Sequence, residues 1–204
     1  MQSVTVATLR LFGGHTALDF TNTVDSRGAV PGGDVLQAYG DLLDWGVRVG
    51  VLGAEEAAAL RDVEGDVGDS ALVRAKTLRE ALYRTFAGTS AGRDDLAVLE
   101  RGVWAAQGAR HLVRGADDYM WCWMGGDPDT VSHRIAVAGV DLLISPALGR
   151  VRVCPGDDCG WLFLDSSRSG RRVWCSDETC GTRHRVRRWR SRLDPLPPKR
   201  QTRA

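Results

Sequence analysis

Apolar residues recur at helical spacing through the first three-quarters of the chain. Ala71, Ala75, Leu78, Leu82 and Phe86 fall on one stripe, opposite Arg74, Lys76, Arg79 and Glu80, which predicts a long amphipathic helix. Val35, Leu36, Tyr39, Leu42, Leu43 and Val47 share a second helical face, with Asp34 as its expected N-cap. A shorter helix is expected over 54–63, and another over 94–106 carrying Leu96, Leu99, Val103 and Trp104. Asp127-Pro128 opens a last long helix through about Ser145, since proline suits the first helical position after an aspartate cap. Near the start, residues 15–24 read as a helix with Thr16 as N-cap and Asp19 at the capping-box position. Alternation replaces helical spacing twice: in a short strand from Thr8 to Phe12, and in a hairpin of 110–114 and 119–123 around Gly115-Ala116-Asp117-Asp118. Trp121 and Trp123 share one face of that hairpin, where a core or interface role is expected, and Cys122 reads as a small buried hydrophobe.

The pattern changes after Ser145-Pro146-Ala147-Leu148-Gly149, the expected domain boundary. Val151-Arg152-Val153 and Trp161-Leu162-Phe163-Leu164 read as strands, and Arg172-Val173-Trp174 leads back toward a helix that begins near Cys180. On that helix Thr182, Val186, Trp189 and Leu193 form a stripe expected to pack on the hairpin. The expected fold is therefore mainly α with a small β element (α+β). A helical N-terminal domain (1–147) is followed by a treble-clef-like zinc finger with four cysteine ligands (148–194) and a disordered basic tail (195–204). The body is long enough to bury its own core; the finger, with few aliphatics, needs a staple.

Cysteine spacing supplies the staple. Cys154-x₄-Cys159 and Cys175-x₄-Cys180 are two matched pairs. Four thiolates close a tetrahedral site around one structural Zn²⁺ and leave no open position for catalysis. Charge then changes the picture further. Residues 150–204 hold fourteen Lys/Arg against six Asp/Glu, a net of +8, while the rest holds thirteen against twenty, a net of −7. A basic end on an acidic body points to a polyanion. Arg183, His184, Arg187, Arg188 and Arg190 on the last helix, with Arg171 and Arg172 before it, are the candidate DNA contacts, because helical arginines pair with phosphates and guanine edges.

These residues carry a resemblance. Cys180-Gly181-Thr182-Arg183, with Cys154-Pro155, Cys159-Gly160-Trp161-Leu162-Phe163-Leu164-Asp165 and Arg171-Arg172-Val173-Trp174-Cys175-Ser176, resembles the CGNR zinc finger family. Gly13-Gly14-His15-Thr16-Ala17-Leu18-Asp19-Phe20-Thr21-Asn22-Thr23, followed by Arg27, resembles the opening of the ABATE domain that precedes such fingers in proteins described as stress-induced transcription regulators. Thr182 departs from the family's Asn; its hydroxyl keeps local hydrogen bonding but lacks the two-sided amide. The resemblance implies a DNA-binding transcription regulator whose N-terminal domain senses a small molecule or dimerises. Asp19, Asn22 and Arg27 are the candidate effector-binding groups, weighed against helix capping and loop bracing.

The expected partners are double-stranded DNA, a small-molecule effector and a second copy of the chain in a homodimer, with no membrane. No apolar run approaches the length of a bilayer span and the N-terminus lacks a secretory pattern, so the chain is expected in the cytoplasm. A zinc-thiolate redox or stress sensor is the alternative function. An enzyme or an RNA-binding protein with a structural finger stands behind it, since no nucleotide loop, nucleophile elbow or second metal motif is present. The chain is therefore read as not an enzyme.

Overall fold

In the computed structural model of the protein, which describes residues 4–28, 32–63, 65–88 and 92–193, the stripe expected over 71–86 becomes a buried face. The elements run α1 (Thr16–Thr21), α2 (Tyr39–Arg48), α3 (Ala54–Arg61), α4 (Gly65–Ala87), α5 (Arg93–Gly108), β1 (Arg110–Arg114), β2 (Tyr119–Trp123) and α6 (Thr130–Ile144). A 3₁₀ turn (Pro146–Arg150) leads to β3 (Val151–Val153), β4 (Leu162–Leu164), a π-turn (Asp177–Gly181) and α7 (Thr182–Leu193). The tail expected beyond 194 lies outside the described residues.

Helix α4 is the axis of the body. Ala71, Leu72, Ala75, Leu78, Ala81, Leu82 and Phe86 are buried along it, against α1, α2, α5 and α6. Phe20 and Trp45 meet at the centre with ring centroids 5.1 Å apart, and both are fully buried. Gly139 lets α6 pack tightly on α4, since a Cβ there would stand 2.6 Å from a Leu82 methyl. Strands β1 and β2 pair antiparallel over the two expected runs, and the register places Leu112 opposite Trp121.

Several local expectations change. Thr8–Phe12 forms no strand: a turn at Thr5–Leu9 takes in its first residues, and side chains take two of its carbonyls, Arg48 that of Leu9 and Arg172 that of Phe12. His15, not Thr16, caps α1, its Nδ1 accepting from Ala17 N–H, while Asp19 turns inward to accept from Gly13 N–H at 2.7 Å. Helix α2 starts at Tyr39, so Asp34 lies outside it and Asp41 instead accepts from the Gln37 and Ala38 N–H groups. Pro128 sits in the turn before α6, whose first residue is Thr130. Trp104, Trp121 and Leu96 are exposed and Cys122 is half-buried, so neither the hairpin nor the outer edge of α5 belongs to the core.

Arg79 differs most. It lies on the inward side of α4 at 4% exposure, paired with Asp34 at 2.8 and 2.9 Å and with Glu80 at 2.9 Å. Glu80 also holds Arg27, whose guanidinium lies 4.3 Å from the centre of the Tyr83 ring. This ladder pins the loop after α1 to α4. Burial raises the carboxyls of Asp34 and Glu80, but hydrogen bonds from Arg79 and Arg27 outweigh it and hold both below the usual carboxylate range.

Asp19 is the opposite case. Burial pushes its carboxyl up to about 6, against the Gly13 hydrogen bond and the Arg48 charge that pull it down. The folded chain therefore binds a proton that the unfolded chain has released, so stability falls as pH rises from about 4 through about 6. Asp19→Asn keeps an acceptor for Gly13 and removes the titration. Urea midpoints measured at pH 4.5 and pH 7.5 are expected to move closer together in the variant than in the wild type; an unchanged gap would assign the pH response elsewhere.

Candidate metal centre and nucleic-acid interface

The finger is built on the β3–β4 hairpin, with Val151 opposite Leu164 and Val153 opposite Leu162. Cys154 N–H donates to Trp161 C=O at 2.8 Å, which closes the first knuckle onto the hairpin's end. Gly156 gives the knuckle its room: a Cβ there would stand 3.1 Å from Cys159 Cβ and 3.3 Å from Cys180 Sγ. Arg172–Trp174 returns to the second pair without forming a strand. In the second knuckle Ser176 caps the π-turn by accepting from Thr179 N–H. Gly181 follows Cys180 because a Cβ there would fall 2.4 Å from Asp177 Oδ1 and 3.1 Å from the Trp174 ring. That is the physical requirement behind the Cys-Gly pair.

The four sulfurs lie within 4.8 Å of one another, and Cys175 Sγ is 3.6 Å from both Cys159 Sγ and Cys180 Sγ. Zinc–sulfur bonds of about 2.3 Å in a tetrahedron place sulfurs roughly 3.8 Å apart, so the cluster fits one zinc ion. Cys154, Cys175 and Cys180 are buried, and all four donors are sulfur. Four thiolates packed this closely repel one another, and a divalent ion offsets the repulsion by stabilising all four together. Four thiolates on one Zn²⁺ leave a net charge of −2, and Arg183 lines the same clefts as Cys159 and Cys180.

Helix α7 leaves the centre with residues 182–192 all exposed. Val186 is 41% and Trp189 61% exposed, so the expected stripe does not pack on the hairpin; the Leu193 side chain lies outside the described residues. The residues assigned to DNA contacts separate into groups. Arg187 pairs with Asp157. His184 stacks on Trp174 with centroids 4.9 Å apart. Arg172 turns into the finger, donating to the carbonyls of Trp174 (3.0 Å), Phe12 (3.2 Å) and Leu164 (3.3 Å) over the Phe163 ring. Arg171, Arg183, Arg188 and Arg190 are exposed. Thr182 donates to Asp177 C=O at 3.2 Å and accepts from Arg185, which also pairs with Asp177, so the hydroxyl braces the turn into α7.

The structure places Asp19, Asn22 and Arg27 along the seam between body and finger. Asn22 is fully buried; its amide donates to Leu162 C=O at 2.8 Å and its oxygen accepts from Leu162 N–H at 2.9 Å. One side chain thus imitates a neighbouring strand for β4. Leu164 N–H donates to Gly13 C=O, Arg27 N–H to Cys159 C=O, and Trp161 Nε1–H to Val24 C=O, all within 2.8 Å. Tyr83 adds a hydroxyl to Gly160 C=O. Gly160 has φ +66°, and a Cβ there would stand 2.9 Å from Arg27 Cβ. Leu162, Phe163 and three of the cysteines consequently share one buried cluster with the body's helices. Sequence reading missed this seam, although its residues are the ones that open the body's motif.

A helical body and a four-cysteine zinc finger joined in one core define the class. The model for ABATE, described as a putative stress-induced transcription regulator, matches residues 14–146, and that for the CGNR zinc finger matches residues 150–193. The chain belongs to the ABATE family and carries a CGNR zinc finger that binds one zinc ion. The first description is that of a regulator and the second that of a zinc finger. No curated protein matches the chain. Among the described residues no helix is long and apolar enough to cross a membrane.

Proposed function

We propose that the protein regulates transcription by laying α7 on double-stranded DNA. One observation carries this reading: α7 is exposed on every side and holds six arginines in twelve residues, with no acidic residue. Arg183, Arg188, Arg190 and Arg192 have no ion pair among the described residues. Like charges at i,i+4, such as Arg188 and Arg192, destabilise a helix, and a polyanion relieves the repulsion. Arg171 extends the same charge beside the helix. The cytosol, where thiols stay reduced, suits such a finger.

Binding to duplex DNA measured against salt tests the proposal. About four neutralised phosphates per chain predict a slope of log K on log salt of about −3.6, from roughly −0.9 per phosphate. A slope near zero would sink the idea. One helix offers little contact area, so specific recognition favours two copies. We assign that contact to the β1–β2 hairpin, whose Leu112, Tyr119, Met120 and Trp121 are exposed. A lone two-stranded hairpin is marginal in water and gains from cover. Light scattering is expected to show a dimer that Trp121→Glu converts to monomers; a wild-type monomer at all concentrations would refute this.

A further inference from the structure

We propose that the groove between α4, α5 and α6 is a binding site for a small apolar carboxylate. The groove encloses about 330 Å³ and is walled by Leu78, Val98 and Ala105. That volume falls at the lower end of small-molecule sites and suits a single ring. Two groups on this wall lack partners. Ser132 is 7% exposed, lines the groove, and its hydroxyl has no hydrogen-bond partner. A helical serine ordinarily bonds back to the carbonyl four residues earlier. Here that carbonyl belongs to Pro128 and takes the Tyr39 hydroxyl at 2.9 Å. The Ser132 hydroxyl makes neither that bond nor any other, so its donor is unspent in an apolar wall, which costs stability unless something accepts from it.

Arg101 at the rim is exposed and makes no ion pair or hydrogen bond among the described residues. The neighbouring Arg74 is committed to Asp129 through three hydrogen bonds of 2.8 to 3.0 Å. His133, whose Nδ1 lies 3.2 Å from an Asp127 oxygen, narrows one side. An apolar wall, one hydroxyl donor and one unpaired guanidinium ask for an apolar body bearing an anionic acceptor. The site lies apart from the Asp19, Asn22 and Arg27 seam and from α7. It goes beyond the DNA-binding reading, and its test does not involve DNA.

The experiment is NMR titration of the full zinc-loaded chain with benzoate, with benzyl alcohol as the uncharged counterpart. Saturable shifts are expected in amides of 98–105 and 129–133, with a dissociation constant of about 1 mM or tighter for so small a ligand. Benzyl alcohol and Arg101→Ala should each weaken binding at least about fivefold. Ser132→Ala should weaken it similarly while raising the melting temperature, because it removes an unpartnered buried hydroxyl. Ala105→Trp, at an exposed helical position, should fill the groove and abolish binding in a chain that still folds. No saturation by 20 mM benzoate, shifts confined to other regions, equal binding of benzyl alcohol, or undiminished binding by Ala105→Trp would each overturn the proposal.

Discussion

Replacing Asn22 by aspartate is expected to destabilise the protein by about 3–5 kcal/mol, a loss of roughly 10 °C or more in melting temperature for a chain of this size. Asn22 is fully buried and spends both ends of its amide on Leu162. A carboxylate of the same shape can accept from Leu162 N–H but cannot donate to its carbonyl, and it brings an unpaired charge into the core. Asn22→Ala leaves the same two backbone groups unpaired without adding charge, so a smaller loss of about 2–3 kcal/mol is expected. Thermal and urea unfolding of the three proteins measure the order. An aspartate variant as stable as the wild type would mean that the amide does not hold the finger to the body.

Removal of the zinc is expected to dismantle half of the finger and leave the other half in place. A strong chelator, or Cys175→Ser, takes away the link between the two knuckles. In isolated fingers that link is worth on the order of 10 kcal/mol at neutral pH. The π-turn and α7 depend on it, since α7 touches little beyond that turn and is exposed along residues 182–192. Strand β4 does not depend on it, because Leu162 and Phe163 are fully buried and bracketed by Asn22 and Gly13. Hydrogen exchange should therefore lose protection over 176–193 while keeping it over 162–164, and duplex binding should fall below detection. Metal analysis should find one zinc per chain before treatment. Retained DNA affinity in a zinc-free chain would remove α7 from the proposed interface.

The body was legible because its helices carry long, regular stripes; the α4 positions read from spacing are buried ones. The β1–β2 hairpin was legible in two short runs around a four-residue turn. The cysteine quartet was legible because two thiol pairs with matched spacing, separated by fifteen residues, are a recurring metal-ligand pattern. Arg79 was not, since its helical position lies at the margin of the stripe and its burial depends on Asp34, forty-five residues away, arriving opposite it. Asn22 was singled out as a polar residue in a motif, but its partner lies 140 residues on, beyond any periodicity. The α7 stripe misled for a different reason. Val186 and Trp189 have helical spacing but no facing element, because the hairpin spends its apolar face on α1 and its flanking loops.

The seam also decides how freely this finger can be moved between proteins. The boundary near residues 145–150 looks like a point where a cassette could be cut and transplanted. Yet Trp161, Leu162 and Phe163 are covered by the body, and Gly160 makes way for Arg27. Grafted onto an unrelated partner, residues 150–193 would bring a bare apolar edge and an unpaired strand into solvent, an invitation to aggregation. The two halves therefore fold as a matched set, and the direction in which α7 points is set by the π-turn it grows from, on a finger whose hairpin the body holds.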